Sequence, residues 1–223
     1  MDEQYIFPIY KPSGPTSFDI IRQLRKITGI KKIGHAGTLD PLAEGMLVVG
    51  ITRQGTKQLN QLIKKDKVYL AEIILGATSD THDAQGKIEK NKVETRPDQN
   101  QVEQALVEFK GHFQQVPPKY SAVKINGTPA YKLARRGKDF QLEAKDVVIH
   151  EIKLLKFDYP ILEILVHTGS GVYIRSLARD LGKKLNTGAY LSALKRTKVG
   201  EFEIADALTL EKFEKQWRQN QKS

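Results

Sequence analysis

One short stretch, residues 34–45, carries the residue types that are best suited to chemistry. It contains three glycines, Pro41 and the carboxylate Asp40 immediately before the proline. The proline keeps Asp40 out of the α region of the backbone, and glycines let the chain approach a ligand closely. A carboxylate held in this way can act as a nucleophile or a base, although the same pattern also occurs in Asx turns and helix caps. The residue types alone leave both interpretations open.

Composition narrows the chemistry further. The chain has 223 residues and no cysteine, which excludes disulfides, thiolate nucleophiles and cysteine-ligated zinc. We find no glycine-rich phosphate loop and no metal-ligand spacing. Asp80 and Asp83 lie in the polar stretch 78–86 but lack the pattern of a calcium loop, so this stretch is predicted to be a hairpin loop. We therefore expect neither a metal nor a cofactor.

The formal net charge of +10 favours a polyanionic partner, and nucleic acid before a membrane. No apolar run approaches the ~18 residues that a membrane-spanning helix requires, and the N-terminus shows no secretory signal. The sequence therefore predicts a protein of the cytoplasm. Basic residues cluster in three places, which we interpret as phosphate contacts: 31–32, 119–138 and 195–198.

Hydrophobic periodicity places the stretch around Asp40 between a helix and a strand. Thr16 and Asp19 form the pattern of a capping box, and Gly29 predicts the end of that helix. Its apolar face is predicted to comprise Phe18, Ile21, Leu24 and Ile27. Strands are predicted at 46–51, 67–75, 147–157 and 161–167, and further helices at 56–64, 102–109 and 174–185. The irregular alternation of the two predicts an α+β fold with a mixed sheet.

Six stretches resemble, in order, the motifs of the TruB-type tRNA pseudouridine synthases. Stretch 34–45 is similar to the family's catalytic motif. The others resemble its N-terminal motif, its tyrosine strand, the start of its thumb-like insertion, its arginine motif and its last motif, at 11–17, 67–76, 116–122, 170–177 and 188–196. Ala36, where the family usually has Thr, and residues 50–53 depart from the pattern, but neither departure touches the Asp, Tyr or Arg positions.

The resemblance implies roles for particular residues. Asp40 matches the catalytic aspartate, Arg175 matches the arginine that pairs with it, and Tyr69 matches the tyrosine that stacks on the flipped base. Tyr173 and Leu194 match positions in the wall of the pocket. His35 matches the histidine that takes up the space left in the RNA loop when bases leave the stack. Without the resemblance, Tyr69 would be interpreted as a core aromatic, Arg175 as a surface helix residue, and a lone histidine as structural.

The resemblance also implies a fold and a domain organisation. We expect the pseudouridine synthase fold, with a central mixed and mostly antiparallel β-sheet flanked by helices. A single catalytic domain over 1–223 would include a basic, thumb-like RNA-binding insertion at about 115–145. Many members carry a C-terminal RNA-binding PUA domain; the 13 residues after Leu210 are too few for one, so none is expected.

The expected activity is isomerisation of the uridine at position 55, in the T loop of tRNA, by a monomer that binds the T arm. One alternative is a guide-RNA-dependent enzyme of the dyskerin type, which shares these motifs but relies on a PUA domain and protein partners. Another is a non-catalytic module that binds or folds tRNA, which the presence of Asp40 and Arg175 disfavours. A glycosidase would require two carboxylates across the bond, and the resemblance gives Glu44 no such role.

Overall fold

The computed structural model describes residues 5–221. Its helices are α1 Ser17–Thr28, α2 Thr52–Ile63, α3 Gln99–Val107, α4 Ala130–Arg135, α5 Ile174–Lys184 and α6 Leu210–Asn220. Its strands are β1 Ile6–Lys11, β2 Ile33–His35, β3 Glu44–Ile51, β4 Lys67–Leu75, β5 Ala77–Ser79, β6 Ile88–Lys90, β7 Gly111–Gln115, β8 Lys124–Ile125, β9 Thr128–Pro129, β10 Lys145–Asp158, β11 Ile161–Thr168, β12 Ala189–Val199 and β13 Phe202–Glu203. The longest described helices have 12 residues, and none within 5–221 is long and apolar enough to cross a membrane.

The chain divides into two compact units, and the boundaries fall inside β4 and β12. The first unit comprises the residues up to Leu70 together with those from Leu194 onward, and the second comprises Ala71–Ala193. Asp40 therefore belongs to the first unit and Arg175 to the second.

The sheet of the first unit is built around β3. β1 runs antiparallel to β3 over its whole length, and β2 pairs antiparallel with the C-terminal end of β3. β12 runs parallel to β3, with Arg196 opposite Gly45. Every residue of β3 after Glu44 is buried, which agrees with its nearly continuous apolar sequence. The strand predicted at 46–51 is confirmed.

Helix α1 begins and ends where the sequence predicts. Thr16 and Asp19 form the capping box, and Gly29 ends the helix with φ of 71°. Its apolar face differs from the prediction, because Phe18 is 53% exposed and lies one residue, about 100°, from the stripe that packs inward. That buried stripe comprises Ser17, Ile20, Ile21, Leu24 and Thr28.

The sheet of the second unit has the strand order β4-β11-β10-β7. β10 runs antiparallel to both β11 and β7, and α3 packs against β10 and α5. β5 and β6 form a separate antiparallel pair. With one parallel pairing in the first unit and antiparallel pairings predominating, the predicted α+β fold with a mixed, mostly antiparallel sheet flanked by helices is confirmed.

The segment predicted as a thumb-like insertion starts and ends on neighbouring strands. Gln115, the last residue of β7, lies opposite Lys145, the first residue of β10. Between them, β8 and β9 form a short hairpin that leads into α4. That this segment binds RNA stays a prediction.

Gly45 and Gly14 provide a matched test of the close packing of β12 on β3. Their φ angles are 107° and 109°, so alanine is strained similarly at both positions. A Cβ on Gly45 would collide with the backbone of Arg196, whereas one on Gly14 meets nothing within 4 Å. We expect Gly14→Ala to lower the free energy of unfolding by about 1–2 kcal/mol, and Gly45→Ala by about 1–3 kcal/mol more. Urea denaturation of both variants measures the difference; equal losses would contradict the tight approach of the two strands.

Candidate active site

Asp40 lies on a loop that backbone contacts fasten to the segment between β1 and α1. The loop, residues 36–43, runs opposite in direction to residues 11–17, so that the partners pair in reverse order. Four hydrogen bonds to loop carbonyl oxygens join them: Lys11 Nζ to Ala43 O (2.6 Å), Ser13 Oγ to Leu42 O (2.9 Å), Gly14 N to Pro41 O (2.8 Å) and Ser17 Oγ to Leu39 O (2.9 Å). The carboxylate of Asp40 is thus carried by a backbone that is held on both sides of it.

Lys11 supplies the most deeply buried of these contacts. Its side chain is 0% exposed, and its ammonium group donates to three carbonyl oxygens, those of Pro12, Pro15 and Ala43. Burial lowers the pKa of Lys11 to about 8, while the negative charge of Asp40 acts in the opposite direction. The ammonium group of Lys11 fixes the loop through its hydrogen bond to Ala43 O. Its positive charge favours the ionised form of Asp40.

His35, the last residue of β2, precedes the loop. It is half-buried, and its Nδ1 has no hydrogen-bond partner among the described residues. Burial lowers the pKa of His35, and the charge of Arg196 adds to that effect. The imidazole is therefore neutral near pH 7, which suits a side chain that fills space more than one that carries charge.

Tyr69 and Leu194 lie on strands of the first unit. Tyr69 in β4 is 7% exposed and points to the buried face of the strand, whereas Val68 and Leu70 are only half-buried. Leu194 in β12 is half-buried. The burial of Tyr69 fits a core aromatic as well as a stacking platform, so its predicted role stays a prediction.

Arg175 lies in the first turn of α5 in the second unit, but it is not a surface residue. It is 6% exposed, and its Nη2 donates to Tyr120 O (2.9 Å) and its Nη1 to Thr81 O (3.2 Å). Nη1 also lies 3.5 Å from Oδ2 of Asp83. The interpretation of Arg175 as a solvated helix residue is therefore wrong.

Asp83 is the site residue that the sequence did not reveal. The stretch 78–86 does link the paired strands β5 and β6, as predicted, yet Asp83 is 3% exposed. Its Oδ1 accepts hydrogen bonds from Thr81 Oγ1 (2.6 Å) and from Gln85 N (3.0 Å). These bonds aim Oδ2 at Arg175, so the loop serves as the base of a buried ion pair.

His82, next to Asp83, has a strained backbone with φ of 62°. Burial, together with the nearby charges of Arg179 and Arg175, lowers the pKa of His82 to about 4. It is therefore neutral at physiological pH and does not compete, as a second cation, with Arg175 for the carboxylate of Asp83.

Tyr173 is positioned through its backbone. Its N–H donates to Oε1 of Gln115 (2.8 Å), and Nε2 of Gln115 donates back to Tyr173 O (3.2 Å). Gln115 is buried at the end of β7, where the predicted insertion begins. The half-buried side chain of Tyr173 is thus fixed at the base of that segment.

The pairing of Asp40 with Arg175 stays a prediction.

The three basic clusters differ in what they can contact. Lys31 and Lys32 are exposed, as are the cations of the insertion, namely Lys119, Lys124, Lys132, Arg135, Arg136 and Lys138. At 195–198, however, Arg196 is buried, and Lys195 and Lys198 form ion pairs with Glu44 and Glu203. The interpretation of Arg196 as a phosphate contact is therefore wrong, because its guanidinium cannot reach solvent.

Family models and known proteins match nearly the whole chain. Residues 25–174 match the model described as "TruB family pseudouridylate synthase (N terminal domain)", and residues 175–223 match "tRNA pseudouridylate synthase B C-terminal domain". A tRNA pseudouridine synthase B of Clostridium novyi is 45% identical over 93% of this chain and 71% of its own length. Another, from Ureaplasma parvum, is 42% identical over 95% of this chain and 94% of its own length.

The fold also matches a solved structure. In a Cbf5-Nop10-Gar1 complex, one chain superimposes with a TM-score of 0.76 and 26% identity. The match covers 97% of the present chain and 56% of that chain, so this protein spans a little over half of that chain.

The buried pair of Arg175 and Asp83 can be tested by its effect on stability. Removal of one partner of a buried pair leaves an uncompensated charge, so we expect Arg175→Met to lower the free energy of unfolding by about 3–5 kcal/mol. The double variant Arg175→Met/Asp83→Asn should lose less than the sum of the two single losses. The control Glu89→Gln, in an exposed pair with Lys87, should melt like the parent protein. Additive losses would show that Arg175 and Asp83 do not interact.

Proposed function

Because this chain belongs to the TruB family and is a tRNA pseudouridine synthase, we propose that it isomerises the uridine at position 55, in the T loop of tRNA, with Asp40 as the catalytic residue. The observation that carries this proposal is the loop of Asp40, which Lys11 and three further contacts fasten by its backbone carbonyls. Positioning of a reacting group in this way is a large source of rate enhancement.

The reaction requires a carboxylate and little else. The bond between C1′ of the ribose and N1 of uracil breaks, the base turns, and a bond forms between C1′ and C5. The proton leaves C5 and one is gained at N1, so atoms and electrons balance without an external oxidant or reductant. Asp40 acts either as the nucleophile at C1′ or as a base at the sugar. We propose that a monomer in the cytoplasm performs this chemistry without metal or cofactor.

The other predicted residues serve the flipped nucleotide. A base within a folded RNA loop must leave the stack before its glycosidic bond can be reached. We assign the stacking face to Tyr69, since base–aromatic stacking contributes roughly 1–3 kcal/mol, and the pocket wall to Tyr173 and Leu194. His35, neutral and half-buried beside the loop, takes up the space that the base vacates. We assign to Arg175 the pairing with Asp40, in which its positive charge orients the carboxylate and keeps it ionised.

Recognition of the T arm depends on exposed cations. Among the described residues, the cations of the insertion form no ion pair. The guanidinium carbon of Arg135 lies over the ring of Tyr131, 5.7 Å from its centroid. Exposed guanidinium groups and aromatic rings are the side chains that contact phosphates and unstacked bases of RNA. The insertion therefore supplies the electrostatic part of binding.

A guide-RNA-dependent activity is the second candidate. It is favoured by the fold match to the chain in the Cbf5-Nop10-Gar1 complex, at 26% identity. The relatives called tRNA pseudouridine synthase B are more similar, at 42–45% identity, and favour an enzyme that acts on tRNA directly. A reaction with the protein and an unmodified tRNA transcript, without guide RNA or other proteins, separates the two.

Asp40→Asn tests the catalytic assignment in that reaction. The substitution preserves size and removes the charge, so we expect the rate to fall by at least about 100-fold, while the melting temperature and the affinity for tRNA change little. Nucleotide-resolution mapping of pseudouridine measures the product. The control Asp206→Asn changes an exposed carboxylate of the same unit and should leave turnover intact. Substantial product from Asp40→Asn, or product only when a guide RNA is added, would contradict the proposal.

A further inference from the structure

Arg196 is the largest fully buried side chain among the described residues. It lies in β12 and is 1% exposed, while its neighbour Lys195 points outward to Glu44. A buried guanidinium group is costly unless its donors are hydrogen-bonded. The hydrogen bonds of Arg196 must therefore offset the free-energy cost of burying its charge.

The hydrogen bonds of Arg196 join the start of the loop that carries Asp40 to β3, the strand that follows this loop. Nε donates to Met46 O at 2.8 Å, and Nη2 donates to Gly37 O at 3.1 Å. Gly37 lies three residues before Asp40, and Met46 lies six residues after it. The rigid fork of a guanidinium group can hold two carbonyls in fixed directions, which the ammonium group of a lysine cannot reproduce.

Two glycines, Gly37 and Gly45, lie next to Arg196. A Cβ on Gly37 would lie 3.4 Å from Nη1 of Arg196, and one on Gly45 would collide with the Arg196 backbone. β3 and β12 run parallel here, with Arg196 opposite Gly45. Arg196 thus contacts the chain on both sides of Asp40, through its side chain near Gly37 and through its backbone at Gly45.

The charge of Arg196 is not cancelled by a bound carboxylate. Within residues 5–221 its hydrogen bonds go to carbonyl oxygens, and no ion pair includes it. Neighbouring groups respond to that charge: after burial itself, Arg196 is a cause of the lowered pKa of His35 and of Lys67, the latter to about 8. The surroundings of the loop are therefore electropositive, and an anion is the species that they favour.

We propose that Arg196 is a positioning residue for Asp40, tying the start of its loop to β3 and supplying a fixed positive charge that favours the ionised carboxylate. The inference rests on the proposed catalytic role of Asp40. Arg196 touches neither substrate nor reacting atoms and acts through the backbone of the loop. Its role is separate from RNA binding, since it is buried.

The test compares Arg196→Met, which removes fork and charge, with Arg196→Lys, which keeps only the charge. Pseudouridine formed at any uridine of tRNA is counted, so the result does not depend on position 55. We expect Arg196→Met to lower kcat by roughly 100-fold with an unchanged KM for tRNA, and the pH below which kcat falls to move upward. Arg196→Lys should lower kcat without moving that pH. Arg218→Met, in an exposed pair with Glu214 on α6, is the matched control and should behave like the parent protein.

Chemical rescue keeps the test independent of any loss of stability. Arg196→Ala, assayed at a temperature below its melting transition, should regain turnover when guanidinium ion is added at millimolar concentration, and Asp40→Asn should not. Folded Arg196→Met with parental kcat and pH profile would overturn the proposal. So would a loss of kcat with an unmoved pH profile and no rescue, because it would reduce Arg196 to a purely structural residue. Turnover by Asp40→Asn would instead overturn the proposed function on which the inference rests.

Discussion

The loop that carries Asp40 is held by its own carbonyl groups, and the first unit depends on this constraint. The loop buries the side chains of Ala36, Leu39 and Ala43, and its backbone carbonyl groups must then find donors from other parts of the chain. Lys11, Ser13 and Ser17 provide donors from the N-terminal segment, and Arg196 provides them from β12. Parts of the chain that are 150 and 159 residues apart thus meet around one loop.

Buried cations can hold the carbonyl groups of the loop, and they also create a positive electrostatic potential around it. A buried ammonium or guanidinium group that donates to carbonyl oxygens fastens the chain without neutralising itself with a carboxylate. Burial, with the charge of Arg196 adding to it, lowers the pKa of Lys11 and of Lys67 to about 8. The same field favours the ionised form of Asp40, so the groups that fix the loop also prepare its chemistry.

In the second unit, an ion pair holds the side chain of Arg175 in place, as the cations hold the loop in the first unit. Arg175 is anchored by two carbonyls and by Asp83, and Asp83 is itself held by Thr81 and Gln85. The guanidinium group therefore has little freedom to choose another rotamer. A rigid side chain of this kind loses little entropy on meeting a further partner.

Local patterns in the sequence predicted local structure well. The capping box of Thr16 and the glycine at position 29 gave the bounds of α1, and the apolar stretch 46–51 gave β3. The same approach failed for Phe18, because an apolar residue one position away from the buried stripe has the same periodic signature until the stripe is known. It also assigned Arg196 to the surface, since neighbouring charges in a strand alternate between faces and the sequence does not say which face is buried.

Long-range partners could not be predicted from the sequence. Asp83 has the composition of a surface turn, and only the fold brings α5 against its loop. Lys11 was assigned to a motif without a partner, because its three carbonyl acceptors depend on how residues 11–17 and 36–43 run past each other. The resemblance to a family identified Asp40, but the reason that its loop is rigid came from the structure.

The release of tritium from tRNA measures directly whether this protein isomerises the uridine at position 55. A transcript that carries tritium at C5 of every uridine must lose one tritium to water for each C1′–C5 bond that forms. We predict release of about one equivalent per tRNA by the protein alone, and none when the uridine at position 55 is replaced by cytidine. Full release from the cytidine transcript, or no release from either, would contradict it.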